Sequence, residues 1–443
     1  FILNEQKSNR SVIKHDSDIL DKIISLDTEN IENFSSSMFY QIKDGYDVSV
    51  SFESESIELH QNINLSIDNI LSVEDSFDIS ADGIFPENNI FISDIMIFRG
   101  VVVRQISFIP FSYDSNTKEL TTFNNVVFDI EDIESNIERE YVSTKLSKSF
   151  EPLYKDLIIN YESSSREEDY QQPSILYICG GSSISHPYVE DLLEWRHKTG
   201  YIVNAVSTSQ TGGSSSSAIK NYLEDAYENW ENPPEIVGLI GDTGGSYQIG
   251  YFTESWSGYN GAGDFPYCQL DGNDLLPEVF IGRISVNSSS DLSNVLNKTL
   301  AYEKASYIDQ TGTDWYEKSS IVGDPSSSGN STMITGEYIE NILDVYGFED
   351  VNTNFGNGNY DNWMENELED GTLYMSYRGY YGASGFGGGE INGANNGYQT
   401  PFASFITCGT GDFQSTALSE ELLRAGSVTN PKGAVAAVGT ATT

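Results

Sequence analysis

From Ser174 onward the chain alternates short apolar runs with amphipathic segments, and few architectures accept that rhythm. "SILYICGG" is an apolar run that stops at a double glycine, as a buried parallel strand does. "HPYVEDLLEWRHKTG" then sets Val189, Leu192, Leu193 and Arg196 on one helical face, with Gly200 as its stop. Strand "YIVNAV", helix "SAIKNYLEDAYENW", strand "EIVGLIGD" and strand "EVFIGRISV" (Glu278 to Val286) follow, then a serine-capped helix in "SSDLSNVLNKTLAYEKA". A second round runs through strand "SSIVGDP", helix "ITGEYIENILDVYG" and strands "TLYMSY", "ASFITCG" and "GAVAAVGTATT". Strands alternating with helices predict an α/β fold, a parallel sheet covered on both faces and wound by right-handed crossovers.

The first 150 or so residues follow a different period. "DVSVSFESESIEL" (Asp47 to Leu59) and "VVVRQISFIPFSYD" (Val101 to Asp114) alternate with period two, and "DSNTKE" reads as a hairpin turn into "KELTTFNNVVFDI". An all-β sandwich is expected there. Residues 144–172 turn polar and charged, and "SSSREEDYQQP" reads as a linker open to proteolytic nicking. The expected organisation is a β-sandwich with linker over 1–165 and α/β subdomains over 166–310 and 311–443. The start at Phe1 reads as a processed end. Thr443, on a strand running into its loop, reads as a cut one.

Composition narrows the partners. Against 67 acidic residues stand 23 Lys and Arg, a formal charge of −44, and such a surface repels nucleic acid and anionic lipid. Solubility, as in salty surroundings, is the plain reading. No apolar run nears the ~18 residues that span a bilayer. Three cysteines, Cys179, Cys268 and Cys408, leave room for one bridge, between Cys179 and Cys268. No cofactor is required. Structural calcium is left open by "FGNGNYDNW" and "LDGNDLLPE", although neither fits the EF-hand pattern.

Reactive groups in open α/β sheets collect at the carboxyl ends of strands. Four loops are expected at that edge: "GDTGG" after Asp242, "GGSSISHP" around His186, "RGYYGASG" after Tyr377, and "CGTGDF" at Cys408. A cysteine at a strand tip followed by glycine lets backbone N–H groups face a developing oxyanion. It also reads as a buried structural thiol.

Here the residues carry a resemblance. "PFASFITCGTGDFQSTALSEELLRAGSVTNPKGAVAAVGT" resembles the nucleophile segment of the gingipain-type cysteine peptidases, with Cys-x-x-Gly-Asp-Phe, an acidic E-x-L-x-R-A helix and Pro-Lys-Gly-Ala. "PEVFIGRISVNSSSDLSNVLNKTLAYEK" is similar to a strand–helix segment of that family, and "FISDIMIFRGVVVRQISFIPFSYDSNTKEL" to its β-rich propeptide. The resemblance implies a caspase-like fold with a Cys–His dyad, made as a zymogen and carried to the cell surface or beyond in a bacterial setting, with the acidic composition leaving a marine one open. Its partners would be protein or peptide substrates, its own propeptide-like domain and secretion or surface components. Cys408 matches the nucleophile, with Cys408 and Gly379 as oxyanion donors. Glu278 matches an acid that orients the histidine, and reads equally as an exposed carboxylate at a strand start.

The histidine does not match. Where the family carries Tyr-x-Gly-His-Gly, this chain has Tyr377, Arg378, Gly379, Tyr380 and Tyr381. A phenol, with an ordinary pKa near ~10, is a poor general base at neutral pH. His15 and His60 lie in the β region, and His197 reads as a solvated helix residue. His186 reads as a surface histidine near a helix start or as a relocated base. A cysteine endopeptidase lacking its usual histidine is one expectation. A non-catalytic surface relative with a structural or adhesive role is the other.

Overall fold

Two periods of burial build two units. The computed structural model describes residues 2–7 and 10–15 by backbone path, and residues 35–65, 78–135, 144–256, 259–272 and 274–441. Residues 1–171 with 271–278 form one unit, and 172–270 with 279–443 the other.

The first unit is antiparallel. Its strands are β1 (Ile2–Lys7), β2 (Arg10–His15), β3 (Ser36–Gln41), β4 (Tyr46–Gln61), β5 (Ile84–Phe85), β6 (Ile90–Ile92), β7 (Met96–Phe98), β8 (Val101–Phe108), β9 (Phe111–Asp114) and β10 (Glu119–Glu134). One sheet runs β1-β2-β10-β9-β5 with β4 also on β10, and a second runs β3-β8-β6 with β7 on β8. Alternate residues of β10, Val126, Phe128 and Ile130, are buried against Ile106 and Phe108 of β8. Phe108 meets the Phe128 ring edge-on at 4.9 Å, so the two sheets share one aromatic core. The "DSNTKE" turn joins β9 to β10, which pair from Asp114 and Glu119.

The polar stretch ahead of the expected linker carries a helix. Helix α1 (Glu151–Leu157) buries Tyr154, which with Phe150 packs edge-on against Phe98 at 5.2 and 5.9 Å. Aromatic residues inside a polar stretch outweighed its composition. Within the same unit Asp274 accepts hydrogen bonds from the amides of Ile97 (2.8 Å) and Leu276 (2.7 Å).

The second unit is α/β. Strands β11 (Ser174–Cys179), β12 (Ile202–Ser207), β13 (Ile236–Ile240) and β16 (Phe280–Ile284) make a parallel sheet in the order β12-β11-β13-β16, and β14 (Phe252–Trp256) and β15 (Tyr259–Gly263) form a separate hairpin. Every residue of β11 is buried, as its unbroken apolar run requires. Helices α2 (Pro187–Lys198), α3 (Ser216–Asn229) and α4 (Ser289–Glu303) follow β11, β12 and β16. Gly200, at φ +101°, follows α2 closely in a backbone region open to glycine.

A second parallel sheet takes β17 (Lys318–Gly323), β18 (Asp350–Phe355), β19 (Tyr374–Tyr381), β20 (Phe402–Cys408) and, after the short ribbon β21 (Gly426–Ser427) and β22 (Asn430–Pro431), β23 (Ala436–Gly439). Its order is β18-β17-β19-β20-β23. Its helices are α5 (Ser331–Tyr346), α6 (Tyr360–Asp370), α7 (Gly388–Gly393) and α8 (Leu418–Arg424). One reading is corrected here. "RGYY" is the end of β19 rather than a loop. "FGNGNYDNW" runs into α6 at Tyr360. Met364 and Leu368 of α6 pack with Met375, Tyr377, Phe405 and Leu422 in one core.

The bridge for which Cys179 and Cys268 left room does not form: Cys179, Cys268 and Cys408 are all thiols. Burial pushes the Cys179 thiol up to about 12, with a Ser183 hydrogen bond opposing it.

Candidate active site

Chain order reverses between β17 and β19, which opens a crevice at their carboxyl ends. β19 and β20 finish there side by side. Arg378 pairs with Ile406, and the next pair is Tyr381 with Cys408, so β19 spends three residues where β20 spends two. That bulge turns consecutive residues outward, leaving Tyr380 64% and Tyr381 62% exposed. Cys408 stands half-buried at the tip of β20, and its carbonyl accepts the Gly382 amide at 2.9 Å. Gly409 follows at φ +78°, a left-handed turn suited to glycine. A Cβ there would meet Cε2, Cζ and Oη of Tyr381, each at 3.1 Å, so this ring lies over the turn that leaves the cysteine.

Beneath the crevice Asp324, just past β17, is a buried hub. Its carboxylate accepts the Tyr377 hydroxyl at 2.9 Å, the Ser384 hydroxyl, and the Ser326 amide at 2.9 Å. Burial alone would raise its pKa, but the hydrogen bonds from Ser384, Ser326 and Tyr377 win and hold it below the usual carboxylate value. Burial pushes the Tyr377 phenol upward, and the Asp324 carboxylate beside it adds to the rise. Asp324 thereby braces both ends of the segment that carries Tyr380 and Tyr381. In the sequence its only signal is the strand-end position of the acid in "IVGDP".

The loop after Cys408 is pinned on its other side. Thr243 of "GDTGG" donates to the Phe413 carbonyl at 3.1 Å, and the Arg283 guanidinium lies 4.9 Å from the Phe413 ring centre. Arg424 bonds Asp242 (2.8 Å), Glu420 (2.7 Å) and Ser285 (2.9 Å). A cavity of about 300 Å³ adjoins this loop, lined among others by Asp264, Arg283, Phe413 and Glu420. Arg283 holds Asp264 bidentately at 2.8 and 2.7 Å, so the carboxylates of this cavity already face arginines. A cationic substrate side chain would find no unneutralised acid there.

The expected site residues sit as follows. The Gly379 amide, expected at the oxyanion, donates to the Thr407 hydroxyl at 3.2 Å. Tyr380 occupies the strand end where the resemblance places an imidazole. His186 caps α2: Nδ1 accepts the Tyr188 amide at 3.3 Å, while Nε2 meets Ser289 at 3.0 Å and Ser293 at 3.4 Å. Its ring is thus engaged with two helix starts, and its hydrogen bonds do not reach Cys408. His197 is exposed on α2. Glu278, grouped with the first unit, is buried rather than exposed, and its Oε2 accepts the Asp271 amide at 3.2 Å. His60 also lies in the first unit, at the end of β4, and the side chain of His15 is outside the described residues. Among the described residues no three His, Cys, Asp or Glu side chains gather as a metal site. No helix among them is long and apolar enough to cross a membrane.

Comparison with known proteins agrees with this architecture. Residues 168–443 match the model of peptidase family C25. Gingipain R2 of Porphyromonas gingivalis is 26% identical over 372 residues, covering 81% of this chain and 49% of its own length. Lys-gingipain W83 of Porphyromonas gingivalis is 24% identical over 242 residues, 53% of this chain and 13% of its own. The chain thus spans about half the length of gingipain R2. The crystal structure of the Arg-specific cysteine proteinase gingipain R superposes with TM-score 0.52 at 24% identity, over 62% of this chain and 64% of that one. The complex of Porphyromonas gingivalis RgpB pro- and mature domains gives 0.51 at 24% identity, over 59% and 63%. The fold is that of the gingipain structures, the caspase-like arrangement expected from the sequence.

Proposed function

The chain belongs to peptidase family C25, and on that premise we propose that its α/β unit is a cysteine endopeptidase acting through Cys408. Residues 1–165 would be its propeptide-like domain, residues 166–310 and 311–443 its two subdomains, and a zymogen exported to the cell surface or beyond its natural form. The observation that carries this reading is the tip of β20, where a half-buried thiol precedes a left-handed glycine at the crevice between β17 and β19.

In this reading the Cys408 sulfur bonds the scissile carbonyl carbon as the thiol proton leaves to water. The C–N bond then breaks, the amine takes a proton from water, and a second water hydrolyses the thioester. With Tyr380 in the histidine's place, the chemistry forgoes a general base, a contribution of ~10²–10⁴ in rate. A slow peptidase on protein or peptide substrates is the expected result. Glu278, buried in the first unit, has no assigned part in it, and structural calcium plays none in the chemical steps.

A second reading, a non-catalytic surface relative, is favoured by the engagement of His186 with α2 and α4. Labelling with a panel of peptidyl chloromethyl ketones separates the two. Cys408 reacting at least tenfold faster than Cys179 and Cys268 supports the peptidase. Equal sluggishness in all three supports the non-catalytic relative.

A further inference from the structure

We propose that the Tyr381 hydroxyl is the hydrogen-bond donor to the carbonyl oxygen of a peptide reacting at Cys408, an inference that rests on Cys408 being the nucleophile. Backbone amides would be the ordinary donors, but two at this tip are spent. Gly379 donates to Thr407 at 3.2 Å and Gly382 to the Cys408 carbonyl at 2.9 Å. The strand bulge brings Tyr381 opposite Cys408, and the missing side chain at Gly409 lets its ring settle over the turn. Both Oη and Cζ come within 3.1 Å of where a Gly409 Cβ would stand, so the hydroxyl is beside the residue that follows the thiol.

Among the described residues this hydroxyl makes no hydrogen bond, and the side chain is 62% exposed. Tyr377, four residues earlier, differs: its hydroxyl is held by Asp324 at 2.9 Å. A phenol O–H next to a reacting carbonyl stabilises the charge that gathers on oxygen as sulfur adds, a role in which one lost donor costs ~10²–10³ in rate. Tyr381 would thus touch the substrate, while Tyr377 and Asp324 position the segment that carries it.

The test pairs two probes on the full chain and its Tyr381→Phe variant. N-acetyl dipeptidyl aldehydes, varied at the residue next to the aldehyde, add the Cys408 thiol reversibly. The Sγ–C bond forms, the C=O π pair moves to oxygen, and the thiol proton reaches that oxygen through water. Iodoacetamide alkylates the same sulfur by displacing iodide at a CH2 group, with no charge developing on a carbonyl oxygen. Tyr381→Phe should weaken aldehyde binding tenfold or more and leave Cys408 alkylation within twofold, with an unchanged thermal midpoint. Unchanged aldehyde binding overturns the proposal, and so does an equal slowing of alkylation, which would mark general damage to the tip. If no aldehyde adds to Cys408 in the parent chain, the nucleophile reading itself falls and this inference with it.

Discussion

The amine of Lys298 lies 2.7 Å from the carbonyl oxygen of Leu423, at the end of the helix that follows the Cys408 loop. It also donates to the carbonyls of Lys432 at 2.7 Å, Leu422 at 3.4 Å and Ala425 at 3.5 Å. One turn earlier on α4, the Asn294 amide group donates to the carbonyls of Arg424 and Ala425, each at 2.8 Å. The last carbonyls of a helix have no partner within it, and here α4 supplies the donors. A helix from the first parallel sheet therefore closes α8 in the second, and the position of the Cys408 loop depends on it.

Removing that cap should be costly. Lys298 is 1% exposed, and Lys298→Met would strip hydrogen bonds from buried carbonyls, at ~1–3 kcal/mol for each group left unsatisfied. The expected loss of unfolding free energy is about 3 kcal/mol in urea titrations. A loss below about 1 kcal/mol would show that water or backbone shifts replace the amine.

The same lysine makes stability depend on pH. Burial pushes its pKa down from 10.5 to about 7, while the surrounding carbonyls favour the charged form. Between those values the unfolded chain binds a proton that the folded chain has released, so stability rises with pH through that window, by at most ~1.4 kcal/mol per unit. Urea midpoints should therefore increase from pH 7 to 8.5, below the range where the buried Cys179 thiol works in the opposite direction. Lys298→Met should flatten this slope. A parent chain already flat would mean that the carbonyl cage keeps the amine protonated.

Asp324→Ala should loosen the site more than the rest of the fold. The substitution leaves Tyr377 and Ser384 without their shared acceptor, for about 2–3 kcal/mol of lost stability. Amide exchange in 378–385 should quicken beyond the global change. Because Asp324 is held below its ordinary value of 3.8, its contribution is complete above that pH and is lost as the pH falls through the lower folded value. The variant should accordingly show a shallower loss of stability on acidification. Equal slopes in parent and variant would refute the assignment.

Tyr380→His restores an imidazole at an exposed strand end, where substitutions usually change stability by under ~0.5 kcal/mol. If Cys408 works without a base, hydrolysis of fluorogenic peptides should rise at least tenfold, with a new rise in rate near the imidazole's ordinary ~6.5. No gain, with folding intact, would favour the non-catalytic relative.

The sequence by itself determined the two kinds of unit, because period-two alternation and unbroken apolar runs followed by amphipathic stretches are local signals. It also singled out Cys408 through its motif, and the tyrosine in the histidine's place. Tertiary structure alone decided what surrounds that thiol. Asp324 meets Tyr377 53 positions away, and Lys298 meets Leu423 125 positions away, pairings that no local period announces. One extra residue in β19 turns both tyrosines outward and commits the Gly379 amide to Thr407. Of the two readings of Glu278, the exposed carboxylate is overturned by its burial, which its neighbours in "LPEVFIG" do not announce. Periodicity records which face of an element is apolar. Which polar atoms meet across elements is set by register and long-range packing, and the surroundings of Cys408 are made of those atoms.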